Sequence, residues 1–171
     1  MSATVTNRDV IEVLLEAHVE TRQIISLASA LSSRSATADS RETAQHISDF
    51  VEWMLPLHCA DEERSLVPRL EGKNATVDSA LKRMQLQHST LEAPLTRLRL
   101  ICRMIARDVN RLHALRFELS NAADDVQRRL DEHQAFEESA VFPALKKLLY
   151  VDELESIADE MRARRETDVA A

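Results

Sequence analysis

The stretch His58-Cys59-Ala60-Asp61-Glu62-Glu63-Arg64-Ser65-Leu66-Val67-Pro68-Arg69-Leu70 returns without a gap as His133-Gln134-Ala135-Phe136-Glu137-Glu138-Ser139-Ala140-Val141-Phe142-Pro143-Ala144-Leu145. The shared pattern is HxAxEExxxxPxL, and the copies lie 75 residues apart. A second spacing supports the doubling, because His18 and His88 are separated by 70 residues. The chain therefore reads as two copies of one helical hairpin, which gives an all-α, up-down-up-down four-helix bundle with a pseudo-twofold axis.

Composition agrees with that reading. One Gly and four Pro in 171 residues are too few for turn-dense sheet folds, so sandwiches, barrels and collagen-like repeats are excluded. Apolar residues make up 44% of the chain and charged ones 30%, enough for a buried core under a solvated surface. Helix-period spacing is plain in Leu81, Met84, His88, Leu91, Leu95, Leu98 and Cys102, which share one face. Breaks at 32–40, at Gly72-Lys73-Asn74 and at 108–111 divide the chain into helices over 7–31, 41–70, 77–107 and 111–148, followed by a short fifth over 152–165. Residues 1–171 are expected to form one domain, with the bundle over 7–148. Asn7, Ser40, Thr76 and Asp152 are the expected N-caps. Pro56 and Pro94 fall inside helices and are expected to kink them.

The net charge of -7 repels a phosphate backbone, and the one dense basic run, Arg162, Arg164 and Arg165, lies near the C-terminal end. Nucleic acid is not an expected partner. No window reaches the roughly 18 apolar residues of a membrane span and no leader is recognisable, so no membrane partner is expected and a cytoplasmic location is. Cys59 and Cys102 form no CxxC, which excludes a disulfide scaffold or zinc knuckle. Helix register puts them about 20 Å apart, too far to bridge each other.

In an antiparallel helix pair, residues at one height have their midpoint in the connecting turn. With residues 60 and 135 as the centres of the two His-Glu pairs, His18 and 60 have their midpoint at 39, 60 and His88 at 74, and His88 and 135 at about 111. All three fall in the breaks. His18, His58, Glu62, His88, His133 and Glu137 should therefore occupy one level of the bundle. His58 and Glu62, like His133 and Glu137, are spaced i,i+4 and lie one above the other on a single helix face. Four imidazoles and two carboxylates suit divalent first-row metals, and two carboxylates can bridge two ions. Burying those carboxylates without cations would be costly.

These residues resemble the hemerythrin-like family, whose four helices supply His, HxxxE, His and HxxxE. The resemblance covers roughly residues 10–148. It implies a cofactor of two iron ions, a non-haem di-iron centre with an oxo or hydroxo bridge. His18, His58, His88 and His133 would be terminal ligands, and Glu62 and Glu137 would bridge. Its implied partners are a diatomic gas, O2 or NO, or a peroxide. Ferritin-like bundles use ExxH instead, which this chain lacks. The oxygen-carrying members have HxxxH on the third helix, where this chain reads His88-Ser-Thr-Leu-Glu92. Glu92 is then an additional carboxylate ligand or an outer group, with Arg22 at its level as a pairing partner. Sensing or iron and redox homeostasis is expected rather than oxygen transport. A di-iron enzyme (peroxidase-like, NO-reducing or iron-sulfur repair) and a metal-free helical interaction protein remain the alternatives.

Other polar residues act as controls. Helical rotation puts His113 about 200° from His133 and His46 about 120° from His58, so both belong on the surface. Glu63 and Glu138 point about 100° away from the candidate ligands, which favours solvent or an Arg over a metal and leaves a contact to a ligand imidazole as the second option. Asp61, matched in the repeat by Phe136, is read as a non-ligand. Leu14, Met54, Met84, Leu91, Leu130 and Phe136 are read as core, as are Phe50 and Trp53. Cys59 is read as a packed thiol.

Overall fold

Asp9 opens the first helix, its carboxylate accepting from the Ile11 amide at 2.9 Å, and α1 (Val10–Ser32) follows. The structure, a computed structural model, describes residues 9–168. All four bundle helices and the short fifth are present, with no strand among the described residues. Thr37 caps α2 (38–70) by accepting from Ser40, and Asn74 caps α3 (Ala75–Arg107) by accepting from Val77. Asp108, in extended backbone, starts the turn that leads through Val109–Arg111 into α4 (112–148). Before α5 (Val151–Asp168) the Tyr150 amide donates to Glu153 Oε2 at 2.8 Å.

The caps thus differ from those expected at Ser40, Thr76 and Asp152. In each case another short polar side chain or a reaching carboxylate lies one to three residues away and satisfies the same orphan amides. Asn7 lies outside the described residues. Gly72 makes the α2–α3 turn at a φ of 77°, in the left-handed region that side chains disfavour.

Proline shapes α2 and α4 in a way the periodicity does not reveal. Leu55, Val67 and Phe142 immediately precede Pro56, Pro68 and Pro143, and their amides reach back five residues, to the carbonyls of Phe50, Glu62 and Glu137. The result is three π turns, Phe50–Met54, Glu62–Leu66 and Glu137–Val141. A proline cannot donate to the carbonyl four residues back, and a π turn absorbs that gap without ending the helix. Pro94 has no π turn; α3 stays α-helical through it.

The helices pack in a ring, α1 against α2 and α4, and α3 against α2 and α4. Apolar side chains form two separate clusters. One runs through Ile25, Ile47, Leu98 and Leu119. The other runs through Leu14, Leu66, Met84 and Leu145 and takes in Ile157 and Met161 of α5. In each of the four bundle helices the residues between the clusters include the candidate ligands: His18 on α1, His58 and Glu62 on α2, His88 on α3, His133 and Glu137 on α4. A polar layer therefore cuts the core in two at one height.

α5 is held to α2 by charge. Glu160 meets Arg69 at 2.5 Å and accepts from Ser65 at 2.6 Å. Asp61, fully buried, pairs with Arg164 and, at 2.7 Å, with Arg165. The C-terminal basic run thus neutralises a buried carboxylate. Two core expectations fail, since Trp53 is 63% exposed and Met54 40%. Both lie in the first π turn, where the extra residue shifts the face that the α-helical period assigns to the core.

Candidate metal centre

All six expected side chains are buried and meet. His18 Nε2 stands 3.2 Å from Glu137 Oε2, and His133 Nε2 stands 3.2 Å from Glu137 Oε1. His58 Nε2 is 3.3 Å from Glu62 Oε1, and His88 Nε2 is 3.2 Å from Glu62 Oε2. Each of these four histidines therefore turns Nε2 toward a carboxylate. The i,i+4 spacing brings each HxxxE histidine above its own glutamate, while His18 and His88 reach the glutamate of another helix. Two four-residue sets result: His18, His58, Glu62 and Glu137, and Glu62, His88, His133 and Glu137. Within each set one donor atom per residue lies within 4.8 Å of the others, and both glutamates belong to both sets.

The contacts lack hydrogen-bond alignment. His18 Nε2, His58 Nε2, His88 Nε2 and all four carboxylate oxygens are buried without a hydrogen-bond partner. Leaving so many polar atoms orphaned at one level is costly unless cations fill it. Nitrogen and anionic oxygen donors in this number fit two first-row metal ions. Without cations, burial pushes the Glu62 carboxyl up, and the neighbouring Glu137 charge adds to that rise. Glu137 is held down to about 2, because the nearby His18 and His88 outweigh its burial. His133 is pushed down to about 4, chiefly by burial, which keeps its imidazole neutral and its lone pair free.

The outer faces of three rings are met by Glu138, Glu63 and Gln87, the two glutamates in the role that the sequence left as its second option. His18 Nδ1 donates to Glu138 at 2.9 Å, and His88 Nδ1 donates to Glu63 at 2.8 Å. A carboxylate only accepts, so each contact fixes the proton on Nδ1 and leaves Nε2 as the donor atom facing inward. His133 Nδ1 meets Gln87 Oε1 at 3.4 Å, whereas His58 Nδ1 has no partner. Arg22 lies against Gln134 at 2.8 Å and Glu138 at 3.3 Å. It does not reach Glu92, which is exposed and belongs to neither four-residue set. The doubled Glu in both repeats was the available signal for Glu63 and Glu138; Gln87 carried none. His46 and His113 are exposed, as their rotation about the helix requires.

The hemerythrin HHE cation-binding domain matches residues 9–108, more than half of the chain. The chain belongs to that family. No curated protein matches it. The matched region of this hemerythrin-family protein contains His18, His58, Glu62 and His88, while His133 and Glu137 lie beyond it on α4. Family membership and the two His/Glu clusters are together compatible with metal binding. No helix among the described residues is long and apolar enough to cross a membrane.

Proposed function

We propose that this protein holds two iron ions, one between His18 and His58 and one between His88 and His133, with Glu62 and Glu137 shared by both. The ligand would be O2, NO or peroxide, and the role sensing or iron and redox homeostasis in the cytoplasm, with residues 1–171 acting as one domain. The observation that carries this reading is the sharing: two carboxylates belong to both sets, and each set adds two imidazoles. Bound iron would supply a change of oxidation state and a coordination position for an outside ligand.

The chain's own groups prepare that chemistry. Glu138 and Glu63 orient His18 and His88, so two Nε2 atoms are aimed before any ion arrives. Leu14, Met84 and Phe142 close the layer on one side, with Phe142 stacked on His18 at 5.3 Å between ring centres, and so shield that side from water. Glu92 stands outside the donor set, and α3 contributes one imidazole to it rather than the two of the oxygen carriers. Fewer imidazoles relative to carboxylates favour the higher iron charge, which argues against reversible oxygen carriage.

Metal analysis and absorption spectra of protein purified under nitrogen, then given oxygen, NO or peroxide separately, test the reading. Two irons per chain are expected, with oxygen producing a lasting oxidised spectrum that a reductant reverses and vacuum does not. Tight saturation at one ion, or repeated loading and unloading of oxygen under vacuum, would refute it.

A further inference from the structure

The contacts His88–Glu63 and Arg99–Glu52 (2.8 Å in each case) fix the register of α2 against α3. In that register Pro56 and Pro94 stand at one level, between the two contacts. Each lacks an amide hydrogen, and α2 carries the π turn Phe50–Met54 just before Pro56. A cleft of about 700 Å³ opens between the helices over this span. A dioxygen molecule needs a space comparable to a water's share of about 30 Å³, whereas a cleft of several hundred Å³ is the size that takes a small organic molecule.

Its lining is graded. The floor is buried and comes from α4, with Leu130, His133 and Gln134. Leu55 and Leu91 form buried apolar walls, and Arg64 and Thr96 lie exposed at the mouth. Three of the four candidate histidines, His58, His88 and His133, border the space. The His58 side chain is 8% exposed, and its Nδ1 lacks the acceptor that Glu138, Glu63 and Gln87 provide for the other three rings.

The geometry points to a binding site for a small amphipathic organic molecule, with an oxygen acceptor directed toward the imidazoles and an apolar body of a few carbons against the leucines. The inference rests on the metal-centre reading only for the direction of the polar end; the cleft and its walls stand without it. An alcohol, a phenol and a carboxylate share the required chemistry, and the charge of the head is left to the test.

Titration calorimetry of the purified protein with hexan-1-ol, phenol and hexanoate, with metal content measured on the same samples, tests the inference. The decisive variant is Thr96→Trp, which fills the mouth from an exposed position and touches none of the six candidate ligands. At least one probe should bind saturably with a Kd of about 1 mM or below, as expected for about seven well-buried non-hydrogen atoms. Thr96→Trp should weaken that binding at least about tenfold, a loss of about 1.4 kcal/mol, and leave metal content unchanged. Absence of saturable binding by all three probes, or equal affinity in Thr96→Trp, overturns the site. Protein lacking iron but binding a probe in the expected way would sink the metal-centre reading and leave the cleft standing.

Discussion

Glu63 belongs to α2, yet its carboxylate holds the outer nitrogen of His88 on α3, 2.8 Å away. Its counterpart in the repeat, Glu138 on α4, does the same for His18 on α1 at 2.9 Å. Each half of the chain therefore orients a histidine of the other half. In both repeats the first glutamate faces the centre and the second steers a ring that the first touches or lies near.

Removing one of these outer carboxylates should loosen metal without unfolding the bundle. Glu63→Ala and Glu138→Ala should each weaken metal binding by about 10- to 100-fold, the usual cost of losing such a partner. Glu63→Gln should recover much of the loss, because its amide oxygen still accepts from Nδ1. Competition against a chelator of known affinity measures this, and unchanged affinity in both alanine variants would contradict it.

Truncating a shared carboxylate should have a larger effect. Glu62→Ala or Glu137→Ala takes a donor from both sets at once and should reduce bound metal far below that of His46→Ala or His113→Ala, whose rings are exposed. Elemental analysis of the four variants decides the matter. Circular dichroism should remain helical in all of them, since the apolar clusters supply most of the stability. Equal metal content in the four would remove the basis of the assignment.

The arginine pair of α5 should matter to stability. Arg164→Ala with Arg165→Ala leaves Asp61 buried and without its two cations, and breaking a buried pair costs about 3 kcal/mol. Adding Asp61→Asn to that double variant removes the stranded charge and should restore part of the loss. Urea unfolding reads both steps. A double variant within about 0.5 kcal/mol of the wild type, the usual range of neutral surface changes, would count against the role given to this contact.

Thiol reactivity should depend steeply on pH. Burial pushes the Cys102 thiol up to about 12, so the thiolate that reacts with alkylating agents is almost absent at pH 8 and becomes abundant only as pH rises toward 12. Cys59 is also raised by its burial, though the residue retains some exposure. Iodoacetamide at pH 8, followed by mass mapping, should leave Cys102 unmodified in the folded protein and label both thiols in denaturant. Rapid labelling of Cys102 in the folded protein would mean its side chain is not packed as described.

The level at which six residues from four helices meet was legible because antiparallel register is arithmetic: once the turns are located, facing residues are set. The i,i+4 spacing then brought His58 over Glu62 and His133 over Glu137. What could not be read depends on departures from the ideal helix or on side-chain reach. A core place for Trp53 and Met54 presumes an unbroken α-helical period, which the π turn before Pro56 interrupts. Height alone pairs Arg22 with Glu92, but the side chain extends instead to Gln134 and Glu138 on the adjacent α4. The caps slipped by one to three residues because several short polar side chains compete at each turn.

The crosswise steering of the histidines has a consequence for how such a protein could be divided. A first hairpin alone would carry His18, His58 and Glu62, but the carboxylate that aligns His18 would be on the missing piece. Two identical hairpins brought together as a symmetric homodimer would recover both alignments and both shared glutamates. The single polypeptide is thus equivalent to a fused dimer, with the Asp108–Arg111 turn as the splice and no donor atom in it. Co-expressed as separate fragments broken there, the halves hold all the parts of the centre between them, and reassembly would be expected to depend on metal.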